Sequence, residues 1–141
     1  AAAVATDADR TAVSLAGRGA ARNLAPAALQ RFSARTLDFR DLDAVRDLRP
    51  VDLVLIAGQF YLEELNDPLV MAVRALCGQG CQVMMSNWAG PQQAGVARWF
   101  LAVLEGDFEL REEFACADRG YLPQHTQYHC ALLARRPGPD A

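Results

Sequence analysis

Between Pro50 and Gly58 stands the run Val51-Asp52-Leu53-Val54-Leu55-Ile56-Ala57, apolar at both alternating sets of positions after one early charge. A strand with two apolar faces must be covered on both, which is the condition of a strand inside a parallel sheet flanked by helices. The downstream sequence provides such a helix. Asp67 predicts its cap, Pro68 its first turn, Leu69, Ala72, Val73 and Leu76 its apolar stripe, and Gly78 its end. Cys81 to Met85 reads as the next buried strand. A further helix carries Val96, Trp99, Phe100, Val103 and Leu104 on one face and stops at Gly106.

The same alternation runs upstream. Ala3-Val4-Ala5-Thr6-Asp7 is a short strand ending in acid, and Asp9 caps a helix with Ala12, Leu15, Ala16, Gly19 and Ala20 on one face. That helix is expected to end near Asn23, with Pro26 marking a break. Residues 33–38 predict a short strand that again ends in acid, and Asp41 to Leu48 a brief helix. Residues 108–114 and 129–135 are the last two strands, joined by a polar, turn-rich loop. Alternating strands and helices predict an α/β, Rossmann-like, doubly wound and mostly parallel sheet. The final two strands, with no helix between them, are expected to pair antiparallel at an edge. The 141 residues read as a single domain, 1–141.

Composition narrows the function classes. An apolar fraction of 52% with 22% charged residues suits a globular core, and a net charge of −3 gives no electrostatic reason to expect nucleic acid. Cys77, Cys81, Cys116 and Cys130 lack the paired spacing of a zinc site, so no metal is expected. Reduced, mostly buried thiols favour an intracellular compartment over secretion. No apolar run approaches a membrane span in length.

Acids at the carboxyl ends of parallel strands stand where such sheets bind ligands, and a carboxylate there can take both hydroxyls of a ribose. Thr6-Asp7, Leu37-Asp38-Phe39, and Asp52-Leu53-Val54-Leu55 followed by Tyr61-Leu62-Glu63-Glu64-Leu65 lie in order along the chain. In that order they resemble the seven-strand S-adenosylmethionine-dependent methyltransferases, and look most like the branch that methylates protein lysines. The resemblance covers nearly the whole chain from the family's second strand onward. It implies S-adenosylmethionine as cofactor, with Asp7 on the ribose, Asp38 reading the adenine amino group, Phe39 on the ring and Ala57 as a further cofactor-binding residue. Gln59, Tyr61 and Trp88 are the implied acceptor-side candidates, and the implied reaction is methyl transfer to a nitrogen, on a protein substrate.

Two departures from the family pattern point elsewhere. Gly58 stands where that branch has an aspartate, and glycine neither accepts a proton nor orients an amine. The family's first strand and glycine-rich loop are missing, so the fold is expected to be N-terminally incomplete. An upstream segment or another chain is then expected to complete the sheet. These departures favour a second reading, a catalytically inactive structural or interaction subunit of a larger assembly. A third takes Thr11 to Ala16 as a strand and Gly17-Arg18-Gly19 as a nucleotide-binding turn, against the cleaner helical face through Leu15 and Ala16. Simpler roles remain open for the same residues: Asp7 and Asp9 as helix caps, Phe39, Tyr61 and Trp88 as packing aromatics. His125, His129 and Cys130 lack a matching ligand cluster.

Overall fold

The computed structural model describes residues 1–57, 63–88, 100–102, 104–117 and 127–137, of which 63, 88, 115–117 and 127–129 by backbone alone. The chain opens with β1 (Ala3–Asp7), α1 (Arg10–Asn23), the short α2 (Pro26–Leu29) and β2 (Phe32–Thr36). There follow α3 (Leu42–Arg46), β3 (Leu53–Ala57), a 3₁₀ turn at Glu63–Leu65 and α4 (Asn66–Leu76). β4 (Gln82–Trp88), helical residues 100–102 and 104, β5 (Phe108–Ala117) and β6 (Gln127–Arg135) complete it.

The α1 start follows from a local hydrogen bond. Asp9 has extended backbone angles, and its Oδ1 accepts from the Thr11 N–H at 2.7 Å, satisfying one of the donors that every helix leaves free at its start. Asp41 caps α3 in the same way, accepting from the Ala44 N–H at 3.1 Å. Gly17 and Gly19 fall inside α1, so the Gly17–Gly19 stretch is helix and not a nucleotide-binding turn. Pro26 breaks α1 as expected but also opens α2, at whose first turn its missing N–H is no loss. The expected cap at Asp67 is not used. α4 begins one residue earlier, continuous with the 3₁₀ turn, and has Leu65 at its cap without a side-chain bond. It ends at Leu76 with Cys77 extended, and the left-handed turn falls to Gly80 (φ 77°) rather than Gly78.

Two sheets result. β1 and β2 pair in parallel, from Ala3 opposite Phe32 to Asp7 opposite Thr36. The larger sheet has the order β3-β4-β6-β5, with β3 and β4 parallel and both β6 pairings antiparallel. The last two strands pair antiparallel at one edge of this sheet, as expected. β5 takes the edge, whereas β6 inserts between β4 and β5, because two adjacent antiparallel ladders satisfy its backbone groups on both sides.

The core lies on one face of the larger sheet. Ile56, Val83, Met85, Ala131 and Leu133 meet Leu69, Val70 and Val73 of α4, with Phe100 and Leu104. Ionic contacts pin the periphery. Asp107, ahead of β5, takes Arg74 Nε of α4 at 2.7 Å and Arg135 Nη1 of β6 at 3.3 Å. Cys77 and Cys81 are buried with their Sγ atoms 3.0 Å apart, and burial pushes the Cys77 thiol well above its usual range. No helix among the described residues is long and apolar enough to cross a membrane.

Candidate functional site

Parallel strands bring their carboxyl ends to one edge, and here three segments converge on it. Thr6, Asp7 and Ala8 leave β1, Leu37 and Phe39 follow β2, and Val54 to Ala57 belong to β3. With a floor from Val45, Leu48, Leu69 and Val73 they enclose a cavity of about 260 Å³. It lies between β1 and β3, where the connections reverse direction. In open α/β sheets this switch point is the crevice that takes ligands.

Asp7 is the only charged side chain among the described residues lining that cavity. Its Oδ1 accepts from the Asp9 N–H at 2.8 Å, a turn that fixes the carboxylate at the end of the strand. The Leu37 N–H donates to the Asp7 carbonyl at 2.9 Å, which brings the segment leading to Phe39 alongside. Phe39 lines the cavity and also packs on the core. Ala57, at the end of β3, closes the opposite wall.

Asp38 is engaged differently. β2 stops at Thr36, where its partner β1 runs out, so Asp38 lies in the loop rather than at the strand end. Its two carboxylate oxygens take Nε and Nη2 of Arg40, and Oδ1 also accepts the Arg40 N–H at 3.0 Å. These bonds hold the Asp38 carboxyl down at about 2. It is not among the residues that line the cavity.

Gly58, Gln59 and Tyr61 lie outside the described residues, as do His125 and the side chains of His129 and Trp88. Trp88 is the last residue of β4, on the same edge as the cavity. Among the described residues no group of three or more His, Cys, Asp and Glu side chains could hold a metal ion.

Two further residues at this edge belong to no motif. Asn66 opens α4 and Asn87 is the penultimate residue of β4, and both are buried. Asn66 Oδ1 and Asn87 Nδ2 have no hydrogen-bond partner among the described residues, an arrangement that costs free energy unless another polar group, a ligand or water meets them. The signal in the sequence was an amide at the end of an otherwise apolar strand run.

The chain as a whole has the fold of the S-adenosylmethionine-dependent methyltransferases. It superposes on such a methyltransferase from Anabaena variabilis with a TM-score of 0.70 at 13% identity, over 96% of this chain and 68% of that one. The N-methyltransferase NodS from Bradyrhizobium japonicum, solved with S-adenosyl-L-homocysteine, matches with a TM-score of 0.65 at 16% identity over 96% and 66%. An rRNA methylase from Streptococcus thermophilus gives 0.61 at 9% identity over 96% and 74%. The chain thus spans about two thirds to three quarters of these proteins. No protein-family profile and no curated protein sequence matches it.

Proposed function

We propose that this chain is the greater part of an S-adenosylmethionine-dependent methyltransferase domain and that the cavity between β1 and β3 takes the nucleoside end of the cofactor. One observation carries the reading: Asp7, the one carboxylate among the described lining residues, and Phe39 share a cavity with an apolar floor at the switch point of the sheet. An ionised carboxylate only accepts hydrogen bonds, so it suits a vicinal diol. The Phe39 ring and the aliphatic walls suit a purine, whose faces are poorly hydrated. Ala57 leaves room for the ring on the β3 side. Asp38 reaches the adenine amino group by exchanging Arg40 for it. When bound, the cofactor supplies an electrophilic methyl group on a sulfonium. The residues of this chain bind and orient, and they keep water from the floor of the site.

The acceptor is a nitrogen, on a protein, and Gln59, Tyr61 and Trp88 are its candidate contacts. Acceptor positioning carries much of the rate in such an in-line transfer. Gly58, at the position where the lysine-directed branch has an aspartate, supports a second reading: the domain binds partner subunits and no longer transfers methyl groups. Calorimetry with S-adenosylmethionine, paired with a radiolabelled-methyl assay on lysate, separates the two. Micromolar binding with labelling of one protein band supports the enzyme. Binding without labelling supports the inactive subunit, and the absence of binding removes both cofactor assignments.

A further inference from the structure

Two thiols that the cofactor site does not use lie at the amino end of β4, away from the edge that carries Asp7. Cys77 follows α4 with an extended backbone, Cys81 stands just ahead of β4, and both are free and buried. The residues between them make a tight turn. The Cys81 N–H donates to the Gly78 carbonyl at 3.2 Å, and Gly80 takes a left-handed φ of 77°, which glycine adopts at no steric cost. Both ends of the turn are anchored from outside it. The Cys77 N–H donates to the Val73 carbonyl at 3.0 Å, and the Arg135 N–H of β6 to the Cys81 carbonyl at 2.9 Å.

Filling the core does not call for this arrangement. The two Sγ atoms are 3.0 Å apart, nearer than unbonded sulfurs ordinarily pack, and a closure of about 1 Å would reach the length of a disulfide bond. A lone buried thiol is inert. A pair is not, because once one sulfur is oxidised the other is already held against it as the nucleophile of an intramolecular step.

We propose that Cys77 and Cys81 are a redox modification site, a dithiol that a low-molecular-weight disulfide such as oxidised glutathione converts to an intrachain disulfide. One cysteine, as its thiolate, attacks a sulfur of the small disulfide, forms a mixed disulfide and expels one small thiolate. The other cysteine, as its thiolate, attacks the protein sulfur of that bond and expels the second. The protein loses two electrons and two protons, and the small disulfide takes them up as two thiols. Burial governs the rate of this exchange. It pushes the Cys77 thiol up, as does the Cys81 sulfur beside it, against the pull of Arg135 and Arg49. The attacking thiolate is therefore scarce, and attack waits for the exposed tip of the turn, Gln79 and Gly80, to open. Proximity governs the equilibrium. The new bond clasps the end of α4 to the start of β4, and α4 floors the cavity through Leu69, Val73 and Leu76, the last of them beside Cys77. None of the cofactor contacts enters the clasp, which stands whether or not the cavity is filled.

The test equilibrates the protein in mixtures of reduced and oxidised glutathione, once native and once unfolded in guanidinium, until samples started from either redox state agree. After acid quenching and alkylation, trypsin releases the peptide Ala75–Arg98, which holds these two cysteines and neither of the others, and mass spectrometry counts its disulfide and dithiol forms. The native protein should favour the disulfide about 30-fold or more over the unfolded chain, the factor by which a disulfide closing so short a loop stabilises a fold. A ratio near one or below it overturns the proposal, and so does a native peptide that carries glutathione in place of the internal bond. A second measurement reads stability. Oxidation should raise Tm by about 5 °C or more in the wild-type protein and leave Cys77→Ala unmoved. An unchanged wild-type Tm, or an equal rise in the variant, would show that no clasp joins α4 to β4.

Discussion

Arg40 folds back on Asp38 two residues away, and this contact sets the chemistry of that carboxyl. A folded-state value of about 2, below the ordinary 3.8, means that the pair stabilises the fold above pH 4 and that this contribution is lost as pH falls through about 2. Both partners are substantially exposed, at 63% for Arg40 and 38% for Asp38, so solvent screening keeps the effect small. Carbon-detected NMR titration should find the Asp38 midpoint near 2 in the wild-type chain. Arg40→Ala should bring it back to the ordinary range. The same variant probes the adenine reading: with Arg40 gone, S-adenosylmethionine affinity should rise a few-fold, an effect that Asp38→Asn should cancel. Asp7→Ala should cost about 10- to 100-fold in affinity by calorimetry, the size expected for losing charge-assisted hydrogen bonds. Cys77, buried and with its thiol pushed up, should resist iodoacetamide in the native protein at pH 8, measured by mass spectrometry against the half-buried Cys130.

At the scale of the element, the caps carry their own local logic. Asp9→Ala should destabilise α1 by about 1 kcal/mol in urea denaturation, since it frees one backbone donor and leaves the helix sequence untouched. Asp9 was readable as a cap because a short acid before an apolar stripe acts on an atom two residues away. The start of α4 was not, because a 3₁₀ turn runs directly into it and no break isolates Asp67. The end of β2 was misplaced by two residues for a nonlocal reason: a strand stops where its partner stops, and β1 ends at Asp7 opposite Thr36. That displacement is why Asp7 and Phe39 share a cavity while Asp38 turns to Arg40. The spacing of Asp38 and Arg40 was itself visible in the sequence, as an acid and a base two residues apart in a loop.

At the scale of the whole molecule, the alternation of strands and helices was legible because a run apolar at both alternating sets of positions, such as Leu53–Ala57, has few alternatives to a strand, although of these residues only Ile56 is buried and Leu53 and Leu55 are exposed. The order of the strands was less so. Nothing local in residues 127–135 tells that they lie inside the sheet rather than at its rim. Asn66 and Asn87 escaped for the same reason, since only the assembled core shows one polar atom of each buried without a partner among the described residues. The interior place of β6 also governs when this chain can fold. Until residues 127–135 leave the ribosome, β4 lacks the partner on its free side and β5 has no partner at all among the described strands. The nascent chain must therefore carry an unfinished sheet until residues 127–135 have been made, the state in which exposed edges invite aggregation. A stalled ribosome–nascent-chain complex halted with residue 126 just outside the exit tunnel should be readily cleaved by protease. Release of about ten residues more should make it resistant, and resistance already at residue 126 would show that the sheet closes without its central strand.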